Sequence, residues 1–228
     1  MPLLNPLDAP ILLVDTDGAR IPPQWLQPPA LRARFAAPPQ WEPDSRGERP
    51  YVHRPLTPCS VLIGLLTHPE PTVLLTRRAL HLNDHPGQIS FPGGRKDPAD
   101  VDAEATALRE AHEEVGLPPE HVECLGCLPD YLTGTGFLVT PVVALIDPRY
   151  EPLIDAREVD EVFEVPLSFL MTPAHHRHHE IDWAGQRRAF WSMPWPQAPG
   201  PQSERYFIWG ATAAMLRNLY RFLVAAPD

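Results

Sequence analysis

The sequence predicts an α/β protein in which a mixed β-sheet is covered by helices on both faces. Three observations carry that prediction. Apolar runs of strand length recur through the middle of the chain, an amphipathic segment with clear stop signals interrupts them, and a second amphipathic segment closes the chain.

The first 58 residues hold a large share of the 31 prolines, and residues 192–201 are rich in them as well. Proline blocks helix interiors and sheet ladders, so both stretches read as extended coverings or loops around a core. One short helix is expected near Pro29–Ala37, where proline stands at a helix start. Residues 1–54 therefore read as an N-terminal extension packed on the core, and residues 55–228 as one catalytic domain with a C-terminal helix.

The core begins after Cys59. Residues 60–68 and 72–79 are apolar runs separated by Pro69-Glu70-Pro71, the pattern of a buried hairpin. A loop rich in Gly, Pro and Asp leads to a helix over Ala103–Val115, which Gly116 and then Pro118-Pro119 terminate. Residues 122–128 and 137–146 read as strands, and 158–171 as a strand running into a short helix. Residues 205–226 read as one amphipathic helix, with Ile208, Ala211, Met215, Leu219, Phe222 and Leu223 on its apolar face.

Composition narrows the functions available. Of 228 residues 43% are hydrophobic and 21% charged, the balance of a globular chain. The 29 acidic residues outnumber the 19 basic ones, and a net charge of −10 repels a nucleic-acid backbone. An anionic small molecule needs a bridging cation for the same reason. Three cysteines are too few for a disulfide framework and point to a reducing compartment, the cytoplasm; Cys124 and Cys127 lack the second pair a zinc site needs and suit a strand. The N-terminus has no basic start and is broken by prolines, unlike a signal peptide, and no apolar run reaches the ~20 residues of a membrane span. A homodimer is compatible with this composition.

The chemistry concentrates on the middle helix. Glu110, Glu113 and Glu114 stand at i, i+3 and i+4, while Leu108, Ala111 and Val115 give the same helix an apolar side for packing. Two carboxylates at ~4 Å repel by roughly 4 kcal/mol at an effective dielectric of about 20. Arg109 offsets part of this, and a hard cation such as Mg2+ or Mn2+ suits the remainder better than zinc. Alone, such a cluster reads as a solvated acidic face. Phe91-Pro92-Gly93-Gly94 just upstream changes that reading, since its glycines allow close backbone approach to a ligand or metal.

Residues 93–117 resemble the Nudix box, whose pattern is G, five residues, E, seven residues, then R-E-U-x-E-E-x-G-U with U apolar. Arg109, Glu110, Ala111, Glu113, Glu114, Gly116 and Leu117 satisfy its second half. In the first half, counting from Gly94 puts the expected Glu on Asp100, and counting back from Arg109 puts it on Val101; Asp100, Asp102 and Glu104 all stay open for that place. Residues 74–94 further resemble the signature of the coenzyme A diphosphatase subgroup, through Leu74, Leu75, Thr76, Arg78, Ala79, Gly87, Phe91, Pro92, Gly93 and Gly94, with Asn83 where that signature has Arg.

The resemblance implies an α/β/α sandwich and metal-dependent hydrolysis of coenzyme A to 4′-phosphopantetheine and 3′,5′-ADP. It implies Glu110 and Glu114 as the main metal ligands, and Glu113 as a further ligand or the group that orients water. Arg109 would position an acid by ion pairing, completing a catalytic set of Arg109, Glu110 and Glu113. Gly93 and Gly94 would approach substrate together with Arg78 or Arg77; strand alternation sends these arginines to opposite faces, and Arg78 fits the signature. His85 and His112 are candidate proton carriers, and Glu158, Asp160 and Glu161 could supply a base from a separate segment. The run His175-His176-Arg177-His178-His179 reads as a solvated loop rather than a soft-metal site. Two other readings stay open: a Nudix diphosphatase for ADP-ribose or NADH, and a catalytically silent binding module of the same fold.

Overall fold

A computed structural model of the chain describes residues 6–44, 55–82, 84–183, 186–195 and 206–226. The N-terminal part contributes strand β1 (Ile11–Val14) and helix α1 (Pro28–Ala36), the latter with proline in its first turn as expected. The core runs through β2 (Thr57–Leu66), β3 (Thr72–Arg78), β4 (Ile89–Ser90) and β5 (Gly93–Arg95) to helix α2 (Ala103–Val115). It continues with β6 (Val122–Cys127), β7 (Tyr131–Leu132), β8 (Phe137–Ile146), β9 (Val159–Pro166) and the one-turn α3 (Leu167–Leu170). Strands β10 (Arg177–Trp183), β11 (Gln186–Trp195) and β12 (Tyr206–Trp209) precede the closing helix α4 (Gly210–Val224).

Eight strands form a mixed sheet in the order β4-β3-β2-β8-β6, with β5 joined to β2, β7 to β8 and β9 to β3. The central pair β2–β8 is parallel over ten residue pairs, and the other pairings in this sheet are antiparallel. One face packs on α2: Ala107, Ala111 and Val115 meet Leu62, Leu66, Leu74, Val142, Ala144 and Ile146. The opposite face, with Ile63, Leu65, Val73 and Leu75, packs under α4 and α1. The sheet is thus flanked by helices on both sides, as the apolar pattern predicts.

A second, four-stranded antiparallel sheet, β1-β10-β11-β12, corrects the sequence reading in three places. The histidine run is not a solvated loop, because His176, His178 and His179 are buried and the last two lie in β10. His176 Nε2 donates to the Leu170 carbonyl (2.7 Å), so its Nδ1 accepts from Arg217 (3.0 Å); burial pushes this ring down to about 4 and keeps it neutral. Residues 192–195 are not covering loop but the end of β11, with Pro194 opposite Phe207. Residues 206–209 are strand rather than helix: Ile208 pairs with Met193, and Gly210, at φ 62°, turns the chain at the first residue of α4.

The N-terminal residues are tied to α4 by buried charge. Arg217, 6% exposed, is ion-paired with Asp15 and, at 3.5 Å, with Asp44, and its guanidinium lies 4.9 Å from the Trp191 ring. Asp44 N–H donates to Asn218 Oδ1 (2.8 Å), Tyr220 Oη–H to the Ala19 carbonyl (2.8 Å), and Arg34 to the Leu223 carbonyl (2.8 Å). Among the described helices, none is long and apolar enough to cross a membrane.

Candidate active site

Helix α2 is fixed at both ends, which sets where its acids point. Asp102 caps the N-terminus by accepting from Ala105 N–H (2.8 Å). Gly116, left-handed at φ 66°, closes the C-terminus and donates to the Ala111 and His112 carbonyls. The segment after β8 then docks there, with Leu153 N–H on the Val115 carbonyl and Asp155 N–H on the Glu114 carbonyl, both 2.9 Å.

The three helix glutamates do not share one environment. Glu114 is 4% exposed and turned toward the sheet, where its Oε2 accepts from Gly93 N–H at 3.4 Å. Burial, and then the charges of Glu158 and Glu110, push its carboxyl up to about 8. Glu110 lies against Gly94 so closely that a Cβ there would sit 2.4 Å from the Glu110 Cδ, and burial raises its pKa too. Glu113 stays exposed at the rim. Glu110 and Glu114 are therefore the acids held inward.

Arg109 is used up by the protein itself. Its Nε and one terminal nitrogen bind Asp100 (3.1 and 2.9 Å), the other terminal nitrogen binds Glu110 (2.9 Å) and Glu113 (3.2 Å), and the Arg95 carbonyl accepts a further bond (3.0 Å). The Arg109 guanidinium in turn holds the Asp100 carboxyl well below the usual range. The three acids left open by the motif count are thereby distinguished. Asp100 pairs with Arg109, Asp102 caps the helix, and Glu104 lies beside the Cys124 thiol, which burial pushes up to about 12.

Strand β3 delivers its two arginines to opposite faces. Arg77 pairs with Glu161 (3.0 Å), which also accepts from Tyr206 Oη on the side away from α2, whereas the charge of Arg78 acts on Glu114. Of the three acids proposed from a separate segment, Glu158 alone reaches the charge field of both Glu110 and Glu114. Glu158 and Asp160 are both exposed, and Glu161 is taken by Arg77. Sequence patterning could not single out Glu158, because the turn that places it is made by backbone bonds: Glu158 N–H to the Asp155 carbonyl (3.0 Å) and Ala79 N–H to the Glu158 carbonyl (2.9 Å). His112 is exposed on the last turn of α2, and His85 is exposed in a left-handed turn. Asn83 lies outside the described residues.

Glu110 and Glu114, both raised first by burial and then by neighbouring carboxylates, are oxygen donors of the kind a hard divalent cation takes. Among the described residues no three His, Cys, Asp or Glu side chains form a ready-made metal cage. The protein thus offers part of a coordination sphere, and water and substrate oxygens would fill the rest, as Mg2+ and Mn2+ tolerate.

The NUDIX domain pattern matches residues 58–198, more than half of the chain. The chain belongs to the Nudix hydrolase family. Relatives of this Nudix hydrolase include a protein of Enterobacter sp. (strain 638) described as an uncharacterized Nudix hydrolase, NudL, 44% identical over 160 residues, 70% of this chain and 79% of the relative. A NudL of Salmonella paratyphi B is 42% identical over the same shares. Among solved structures, the M. smegmatis Nudix hydrolase RenU is 25% identical, with a TM-score of 0.43 over 56% of this chain and 80% of that one. As a Nudix hydrolase the protein is an enzyme, and the family supports metal-dependent cleavage of a diphosphate linkage in a small molecule.

Proposed function

We propose that this Nudix hydrolase cleaves the diphosphate of coenzyme A to 3′,5′-ADP and 4′-phosphopantetheine, with Mg2+ or Mn2+ held by Glu110 and Glu114. The observation that carries the reading is the placement of Glu110 and Glu114 against the Gly93-Gly94 backbone, with the charge of Glu158 acting on both and Arg109 clamped between Asp100 and Glu110. The substrate rests on the Leu74–Gly94 signature, which ends at those same glycines. Its three free cysteines suit a reducing compartment such as the cytoplasm.

Bound metal would neutralise diphosphate oxygens and lower the pKa of a coordinated water. The chain's own groups do the rest. Asp100 fixes the Arg109 fork, and Arg109 holds Glu110 and Glu113, so the ligating carboxylates need not reorganise when substrate enters. Glu113, at the rim, completes the ligand set or orients the water. Glu158 accepts the proton as the water oxygen attacks phosphorus and the bridging P–O bond breaks, the leaving phosphate departing as an anion. Arg78, on the α2 face, binds a diphosphate oxygen.

Asn83, where the signature has Arg, favours a second reading, a nucleoside diphosphate derivative such as ADP-ribose or NADH. One experiment separates the readings: incubate the enzyme with coenzyme A, ADP-ribose and NADH, each with Mg2+ and with Mn2+, and identify products by mass. The first reading expects 3′,5′-ADP and 4′-phosphopantetheine as the dominant products. Faster cleavage of ADP-ribose or NADH would overturn it, and no hydrolysis of any of them would favour a silent binding module.

A further inference from the structure

Arg95 ends β5, one residue past the glycine that backs Glu110, and its carbonyl anchors Arg109. Register fixes where its side chain goes. Arg95 stands opposite Cys59 of β2, which packs into the core layer under α4, so it rises from the face opposite Glu110. There its guanidinium lies 5.6 Å from the ring centroid of Phe137, the half-buried first residue of β8. Such stacking orients the planar cation and leaves its N–H edges open.

Arg95 is exposed, and no carboxylate among the described residues pairs with it. Its neighbours behave differently: Arg109 is bound to Asp100 and Arg77 to Glu161. An oriented, unpaired guanidinium is thus set at the border of an acidic site, in a chain of net charge −10. The outer edge of β5 is taken by α2, with Gly93 N–H on Glu114 and the Arg95 carbonyl on Arg109, so the Arg95 side chain is the exposed group where the strand ends. The charges of Arg95 and Glu110 both act on the Cys59 thiol, so the guanidinium and a diphosphate held against Glu110 flank the same short stretch of sheet.

We propose that Arg95 binds a second, monoester phosphate on the nucleoside side of the substrate and so selects nucleotides carrying a 3′-phosphate. The inference rests on the coenzyme A reading above and adds the residue that would enforce it. A guanidinium meets a phosphate dianion through two parallel N–H bonds, a geometry lysine cannot reproduce. The scissile diphosphate is held by other groups, so this contact discriminates between two substrates alike in everything but that phosphate.

The test compares coenzyme A with 3′-dephospho-coenzyme A in the wild type, Arg95→Ala and Arg95→Lys, all with saturating Mg2+. Arg95→Ala is expected to raise KM for coenzyme A by about tenfold to a hundredfold, the worth of a charge-assisted bond, with kcat and the dephospho substrate unchanged. Arg95→Lys is expected to recover part of the loss. Calorimetry without turnover should show the same fold loss for 3′,5′-ADP and none for AMP. Equal losses on both substrates, or no loss on either, would overturn the proposal. A wild type that spares coenzyme A but cleaves another diphosphate would instead overturn the reading beneath it, a pattern the Arg95 variants cannot mimic.

Discussion

Glu114→Gln tests the charge arrangement of the site without any substrate. Glu114 is 4% exposed, and its carboxyl is pushed up to about 8 from an ordinary 4.5, first by burial and then by Glu158 and Glu110. In metal-free protein the folded state keeps a proton that the unfolded chain releases between those two values. Stability from this group is therefore fully present below pH 4.5 and is lost as pH rises through 8. At about 1.4 kcal/mol per unit the loss is on the order of 3 kcal/mol at pH 7 and nearer 5 above pH 9. Glutamine has the same shape and no charge, so the variant should escape this loss. Urea unfolding in chelator from pH 5 to 9 should find the two proteins within about 1 kcal/mol at pH 5 and the variant more stable by roughly 4–5 kcal/mol at pH 8.5. Added Mg2+ should stabilise the wild type more than the variant, whose hydrolysis should fall at least about a hundredfold. Parallel stability profiles, or a variant weaker at pH 8.5, would refute the reasoning.

Gly94→Ala puts a methyl 2.4 Å from the Glu110 Cδ, so Glu110 must swing away; kcat should fall at least about tenfold while the melting temperature moves little, checked by Mg2+ titration of rate. Glu158→Gln should lower kcat by about a hundredfold or more while Mn2+ affinity, followed by paramagnetic resonance, stays near the parental value; lost Mn2+ binding would make Glu158 a ligand instead. Asp100→Asn removes the charge that holds the Arg109 fork, and kcat should drop about tenfold with KM little changed in steady-state assays. Arg217→Ala removes the buried cation paired with Asp15 and Asp44 and should cost about 3 kcal/mol in urea unfolding, Arg221 still facing Asp44.

The parts of the fold that were legible in the sequence are those where one physical signal dominates. Strands β2, β3 and β8 are continuous apolar runs because both their faces are covered, and α2 carries its own cap, stop and packing stripe. The β10–β11 hairpin was hidden because its buried positions are filled by His178, His179 and Trp191, polar-looking residues whose burial depends on partners far along the chain, such as the Ala9 carbonyl and Ser192 for His179. Strand β12 was absorbed into α4 because Ile208 also fits the helical apolar face, and only the left-handed Gly210 separates the two. At the candidate site, the motif supplied Glu110, Glu113 and Glu114 but not their unequal burial, which depends on how α2 leans on the Gly93-Gly94 backbone. Glu158, and the different contacts of Asp100, Asp102 and Glu104, required the loops themselves, since spacing alone leaves these acids equivalent.

The charge latch around Arg217 bears on how the enzyme can be trimmed. A fragment cut to the family match, residues 58–198, would discard Asp15 and Asp44 at one end and all of α4 at the other. It would also reduce the small sheet to a lone β10–β11 hairpin by removing β1 and β12. The smallest unit that keeps the catalytic sheet roofed is therefore nearly the whole chain, and shortening it from either side should yield aggregated protein before it yields a weakened catalyst.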